Sequence, residues 1–105
     1  MSNQINILSR IKNIVLNEEP QAKVYLYGSR ARGLTKSDSD WDILILLNRD
    51  KITAEIEKKV TYPLYDLEFE IGEVISPLVY SENEWNSRHK ATPFYSNVMR
   101  ESKQL

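Results

Sequence analysis

Residues 24–46 read VYLYGSRARGLTKSDSDWDILIL, and this stretch decides the fold. Its two ends are short, apolar and rich in β-branched or aromatic residues, so residues 23–27 and 41–47 are predicted to be strands. Between them Gly28 and Gly33 bracket one turn, although the whole chain has only three glycines. The stretch therefore predicts a strand, a glycine-bounded turn and a second strand that is buried on both faces.

Apolar residues at helical spacing predict helices on both sides of this stretch. The predicted helices cover residues 3–17, 29–32, 56–71, 81–85 and 93–101. Pro63 is expected to interrupt or kink the third of them. A further strand is predicted over residues 74–80, where Pro77 forfeits a ladder hydrogen bond and so favours the edge of a sheet. This order predicts a mixed α/β fold, with a short mixed β-sheet packed against helices in a single domain over residues 1–105.

Size and composition narrow the function further. A chain of 105 residues is large enough for one core but too small for a catalytic domain and a separate substrate domain. The formal net charge of −1 argues against a general nucleic-acid binder. There is no cysteine, and no apolar run is long enough to span a bilayer. We therefore expect a cytoplasmic protein with no membrane and no nucleic-acid partner.

The glycine-bounded turn has the chemistry of a phosphate site. Backbone N–H groups at a glycine turn that opens a helix form an anion site, because the first helical donors have no partner within the helix. Gly28 lets the backbone approach a phosphate closely, and the hydroxyl of Ser29 can donate to it. Arg30, Arg32 and Lys36 are candidate cations for the same anion, with surface charges as the alternative interpretation.

A pair of carboxylates follows ten residues after Ser29. Asp40 and Asp42 are two residues apart at the start of a strand, so their side chains should point to one face with roughly 6.5–7 Å between their backbones. Carboxylate oxygens are the ligands that Mg²⁺ prefers, and it takes the rest of its shell from water and substrate phosphates. Taken alone, the glycine segment is also compatible with an ordinary strand-to-helix turn. The two aspartates alone are also compatible with two solvated acids at the start of a strand. The spacing that joins them predicts phosphoryl or nucleotidyl transfer.

The stretch from Val24 to Leu46 resembles the signature of the DNA polymerase beta superfamily of nucleotidyltransferases. In its Gly-Ser, ten residues, Asp-x-Asp form it is most similar to the minimal nucleotidyltransferases. The resemblance implies a nucleotidyltransferase fold, binding of Mg²⁺ and ATP or another nucleoside triphosphate, and transfer of the nucleoside monophosphate to a hydroxyl of a protein or small molecule. It also implies a helical partner protein of the HEPN type, which family members silence as antitoxins.

Carried over to this chain, the resemblance assigns two groups of site residues. Gly28 and Ser29, with Arg30 and Arg32, would hold the nucleotide. Asp40 and Asp42 would hold the metal, with two ions expected when nucleotide is bound.

The family's third carboxylate is the point where this chain departs from the pattern. Alignment by apolar residues places Ser76 where an aspartate is expected, and a serine cannot accept the proton of the attacking hydroxyl. Glu73 and Glu70 are the candidate substitutes, with Glu73 nearer to the predicted strand. The alternative function is a catalytically degenerate module that keeps the fold and neutralises a partner protein by binding.

Overall fold

The two predicted strands of the opening stretch form the centre of the sheet. In the computed structural model, which describes residues 3–33, 40–87 and 89–105, β1 is Lys23–Tyr27 and β2 is Trp41–Leu47. They pair antiparallel, which sets Tyr27 opposite Asp42. β-branched and aromatic residues suit this pleated, buried surface. The stretch thus folds back on itself and carries the glycine turn to the end of the sheet where β2 begins.

Two further strands complete a mixed sheet. β3 (Ile75–Ser81) runs parallel to β2, and β4 (Lys103–Gln104) runs antiparallel to β1. Over the described residues the strand order is β3-β2-β1-β4, which places β3 at an edge as Pro77 predicted. The mixed α/β class and the mixed sheet packed against helices are therefore confirmed. The two-residue strand β4 was not predicted, because so short a pairing leaves no period in the sequence.

In the described part of the chain four helices pack on this sheet: α1 (Asn3–Glu18), α2 (Ala54–Ile71), α3 (Glu82–Ser87) and α4 (Pro93–Glu101). Their ranges agree with the predicted helices within two residues at most ends, and α2 runs without interruption through Pro63. The predicted helix over residues 29–32 is a single turn instead. Across the part of the chain that the structure describes, no helix is long and apolar enough to cross a membrane.

Strand β2 is buried because helices cover both faces of the sheet. On one face Trp41, Ile43 and Ile45 pack against α1 and α2. On the other face Leu44 and Leu46 pack against α3 and α4, together with aromatic side chains of β1 and β3. Because successive side chains of a strand point to opposite faces, Asp42 belongs with Leu44 and faces the side of α3 and α4.

Short local signals begin and end the helices. Thr53 caps α2 by accepting from the backbone N–H of Ile56, and Ser81 accepts from that of Glu84 at the start of α3. Gly72 ends α2 in the left-handed conformation, with φ 72° and ψ 23°, and its N–H donates to the carbonyl of Glu68. The chain then enters β3 only three residues later.

The left-handed turn at Gly72 makes a testable contribution to stability. No heavy atom of the described residues lies within 4 Å of where a Cβ would be, so only backbone strain opposes a side chain there. We expect Gly72→Ala to lower the free energy of unfolding by about 1 kcal/mol. Gly72→Asn should lose less, because asparagine tolerates this conformation better. Urea unfolding measures both, and an alanine variant as stable as the parent would contradict the account.

Candidate nucleotide and metal site

The glycine turn is built directly against an acidic side chain. Gly28 has φ 78°, and its carbonyl accepts from the backbone N–H groups of Ala31 and Arg32, at 3.1 and 3.2 Å. A Cβ placed on Gly28 would lie 3.1 Å from Cγ of Asp42 and still closer to Oδ2. Glycine is therefore required twice at this position, for the left-handed backbone and for the close approach of the carboxylate.

Four polar side chains share this face at the start of β2. Asp42 lies between Tyr27 on β1 and Ser76 on β3 in the register of the sheet. The hydroxyl of Ser76 donates to Oδ2 of Asp40 at 3.3 Å. The structure therefore brings Asp40 and Asp42 together beside the glycine turn, and it places Ser76 on the same side.

The electrostatics of Asp40 and Asp42 favour the binding of a cation. Burial, and then the charge of Asp40, raise the pKa of Asp42 above its ordinary value, and Arg32 opposes this rise. The two carboxylates, that of Asp42 half-buried and that of Asp40 exposed, repel each other, and a divalent cation between them would relieve the repulsion. Within residues 3–33, 40–87 and 89–105 no group of three or more acidic or histidine side chains could hold a metal. The donor set is thus two carboxylates, which fits Mg²⁺ only if water or substrate oxygens complete its shell.

Tyr27 forms the wall of the site on the side of β1. Burial, followed by the charge of Asp42, raises the pKa of this phenol to about 12. Its ring packs edge-on against Phe94 of α4, with 6.2 Å between the ring centroids. Tyr27 is therefore a neutral hydrogen-bond donor at physiological pH. The strand pattern predicted its position but gave no sign that it borders the site.

Arg30 and Glu73 lie on the other face of β2. The guanidinium of Arg30 lies 3.9 Å above the ring of Trp41 and donates to Oε1 of Glu73 at 3.1 Å. The indole N–H of Trp41 donates to the same oxygen at 3.0 Å. Arg30 is only 7% exposed. The structure therefore does not bring these two predicted site residues together with Asp40 and Asp42.

Arg32 points to the side of the aspartates. It donates to both carboxylate oxygens of Glu101, at 3.1 and 3.0 Å, and its charge acts on Asp42. No local pattern could have predicted Glu101, because it lies 69 residues away along the chain. The other candidate acid, Glu70, is exposed and forms a two-pronged ion pair with Arg10. Lys36 lies outside the described residues.

Comparison with known proteins identifies the family. The profile of the nucleotidyltransferase domain matches residues 8–90, and the chain therefore belongs to this family. The resemblance to nucleotidyltransferases is thus confirmed at the level of the family. A search by sequence among curated proteins found no match.

Two solved structures share the fold. One is a toxin-antitoxin with AMP-PNP, similar with a TM-score of 0.65 and 20% identity over 91% of this chain and 69% of that chain. The other is a mutant of the toxin-antitoxin MntA-HpeT, with a TM-score of 0.63 and 20% identity over 93% of this chain and 70% of that chain. At this identity the similarity establishes the fold.

The raised pKa of Asp42 gives a prediction about pH. The folded protein binds this proton more tightly than the unfolded chain, so the free energy of unfolding should fall as pH rises through the titration of Asp42. Asp42→Asn removes that loss, and we expect the variant to be more stable than the parent at neutral pH, with the difference shrinking in acid.

Thermal unfolding over a pH series measures this difference. Asp40→Asn should reproduce part of the gain, because Asp42 then loses a neighbouring negative charge. A neutral-pH stability of Asp42→Asn below that of the parent would contradict the electrostatic account.

Proposed function

We propose that this chain is a Mg²⁺-dependent nucleotidyltransferase, which binds ATP or another nucleoside triphosphate and transfers the nucleoside monophosphate to a hydroxyl of a protein or small molecule. We further propose that it acts as the antitoxin-type partner of a HEPN protein. The observation that carries the proposal is the contact between the Gly28 turn and the carboxylate of Asp42, with Asp40 on the same face.

The turn and the cation beside it would bind the triphosphate. Gly28 leaves no side chain between the backbone and a phosphate, and Ser29 has a hydroxyl that can donate to it. Arg32 is the arginine on the side of the aspartates, so it is the one we assign to phosphate binding. Arg30, predicted for the same role, is held between Trp41 and Glu73, so its part is to fix the turn to the strand.

The aspartates would hold the metal. Mg²⁺ bound there would neutralise charge that develops on the phosphates during in-line displacement. In the transfer, a bond forms between the acceptor oxygen and the α-phosphorus while the bond from that phosphorus to the bridging oxygen breaks. Pyrophosphate leaves, and the acceptor proton passes to a base. Asp42 sets the geometry of this step because β2 and its packed core fix its backbone, and Asp40 immediately precedes that strand.

Strand β3, which lies beside Asp42, supplies no carboxylate that could serve as the base. Glu73, the substitute predicted from the sequence, uses its carboxylate to accept from Trp41 and Arg30 on the opposite face of β2. Ser76 occupies the β3 position that faces Asp42. This geometry favours Asp40 or Asp42 itself, or solvent, as the proton acceptor.

The same observation favours one alternative function. Because Ser76 cannot accept a proton as a carboxylate does, the chain fits a degenerate nucleotidyltransferase that neutralises a partner protein by binding. The toxin-antitoxin nature of the two structural neighbours supports a protein partner for either function, and the AMP-PNP of one neighbour supports a nucleotide ligand.

Transfer of label separates the two functions. The chain, with the proteins that copurify with it, is incubated with Mg²⁺ and ATP labelled at the α-phosphate. We expect label to enter a protein and Asp42→Asn to reduce the rate by roughly 10²-fold or more, because it weakens the metal site. Glu73→Gln should retain most of the rate, since the amide oxygen still accepts from Trp41.

Each other outcome has a meaning of its own. A stable complex without label from the parent chain would establish the binding module instead. If Glu73→Gln lost the transfer rate but kept the stability of the parent, Glu73 would be the base. Undiminished transfer in Asp42→Asn would refute the metal assignment.

Binding of nucleotide has a matched pair of glycine variants. Gly28 and Gly33 both have φ 78°, but only a Cβ at Gly28 would meet Asp42, whereas no heavy atom of the described residues lies within 4 Å of one at Gly33. Both alanine variants bear similar backbone strain, so their difference isolates the contact. By calorimetry with Mg²⁺ and ATP we expect Gly28→Ala to lose binding by roughly tenfold or more beyond Gly33→Ala. Equal affinities of the two variants for ATP would show that the contact between Gly28 and Asp42 is not part of the nucleotide site.

A further inference from the structure

Helix α2 carries a stripe of aromatic side chains on its outer face. Tyr62, Tyr65 and Phe69 are spaced by three and four residues, so they lie on one side of the helix. They are 56%, 44% and 92% exposed. The core side chains of the same helix, Val60, Leu64 and Leu67, occupy the opposite side and pack against the sheet. We call these three residues the aromatic stripe.

Neither the fold nor the proposed nucleotide site accounts for the aromatic stripe. It lies on the outer side of the helix that covers one face of the sheet, whereas Asp42 points to the other face. Single exposed apolar residues are common in proteins, but a contiguous row of three large rings marks a surface that another molecule covers. Tyr62 and Tyr65 already contact each other, with 6.4 Å between their ring centroids.

The charges around the stripe are symmetric about Tyr62. Lys58 lies four residues before Tyr62 and Asp66 four residues after it, and both are exposed. If a second copy of α2 packs antiparallel with Tyr62 at the two-fold axis, Lys58 of each chain meets Asp66 of the other. The described residues form no ion pair with either of them, so both are available for this contact.

The same symmetry brings the most exposed ring to a cavity. Phe69 lies seven residues after Tyr62, and Glu55 lies seven residues before it. A cavity of about 410 Å³ opens beside Glu55, lined also by Glu18, Lys58, Lys59, Tyr62 and Pro63. In the antiparallel arrangement Phe69 of one chain reaches this cavity in the other, which also receives the aliphatic stems of the lysines. One surface then supplies both the inserted ring and the cavity, as a two-fold interface requires.

We propose that α2 is the interface of a symmetric homodimer, with Tyr62 at its centre, a Lys58–Asp66 ion pair on each side, and Phe69 of each chain in the cavity of the other. The proposal goes beyond nucleotide transfer and does not depend on it. The occupant is a second copy of this chain, because the charges and the cavity are complementary to the stripe of the same molecule.

Sedimentation equilibrium over a concentration series tests the homodimer. We expect the full chain to sediment as a dimer, and Phe69→Ser to weaken self-association by roughly tenfold or more, as for a buried aromatic anchor. Because the ring is 92% exposed within one chain, this change should leave the helix content and the unfolding temperature nearly unchanged. Val74→Ser, which removes an exposed apolar side chain outside α2, is the matched control and should leave the dimer intact.

Charge reversal identifies the arrangement. Lys58→Asp and Asp66→Lys should each make the chain monomeric, because two like charges then face each other across the axis. Mixing the two variants should restore a dimer, since one ion pair then forms as in the parent and the other forms with its two charges exchanged. A chain that is monomeric throughout, or a mixture that stays monomeric, would overturn the proposal. The proposal would also be overturned if Phe69→Ser left self-association unchanged and abolished only the binding of a different protein.

Discussion

The close packing of the Gly28 backbone against the Asp42 carboxylate is the constraint on which the rest of the site depends. It requires an antiparallel register that sets the last residue of β1 opposite Asp42, and a left-handed residue immediately after it. A side chain at this position would collide with the carboxylate. The glycine turn and the carboxylate of Asp42 are therefore parts of one contact, and neither can move without the other.

The rigidity of this contact comes from the two faces of β2. Trp41, next to Asp42, is buried in the core formed with α1 and α2, and its indole N–H is fixed by Glu73. Arg30 stacks on the same ring, which ties the glycine turn to the far face of the strand. An aspartate whose neighbours are held in this way keeps its position in spite of its burial and the negative charge of Asp40, which together raise its pKa. Alternate residues of β2 thus have different roles: those on one face stabilise the fold, and Asp42 on the other face belongs to the site.

The two arginines of the motif show how this division assigns roles. Arg30 and Arg32 are two residues apart in a tight turn, and their sequence context is almost the same. Arg30 is buried against Trp41 and Glu73, while Arg32 remains partly exposed, acts on Asp42 and is held by Glu101 of α4. An exposed arginine that shares its charge between two carboxylates can exchange one of them for phosphate at little cost, whereas a buried one cannot.

The sequence by itself determined the family, the elements and the acidic pair, because these rest on local signals. Strand and helix periods gave most ranges within two residues, and the Gly-Ser and Asp-x-Asp spacing gave the family that the profile over residues 8–90 confirms. Only the tertiary structure decided which side chains converge. Glu73 was predicted as the third acid from its nearness to a strand, and its carboxylate is instead bound to Trp41 and Arg30. Contacts such as Arg32 with Glu101 join residues far apart in the chain, so packing sets them, and no period or spacing records them.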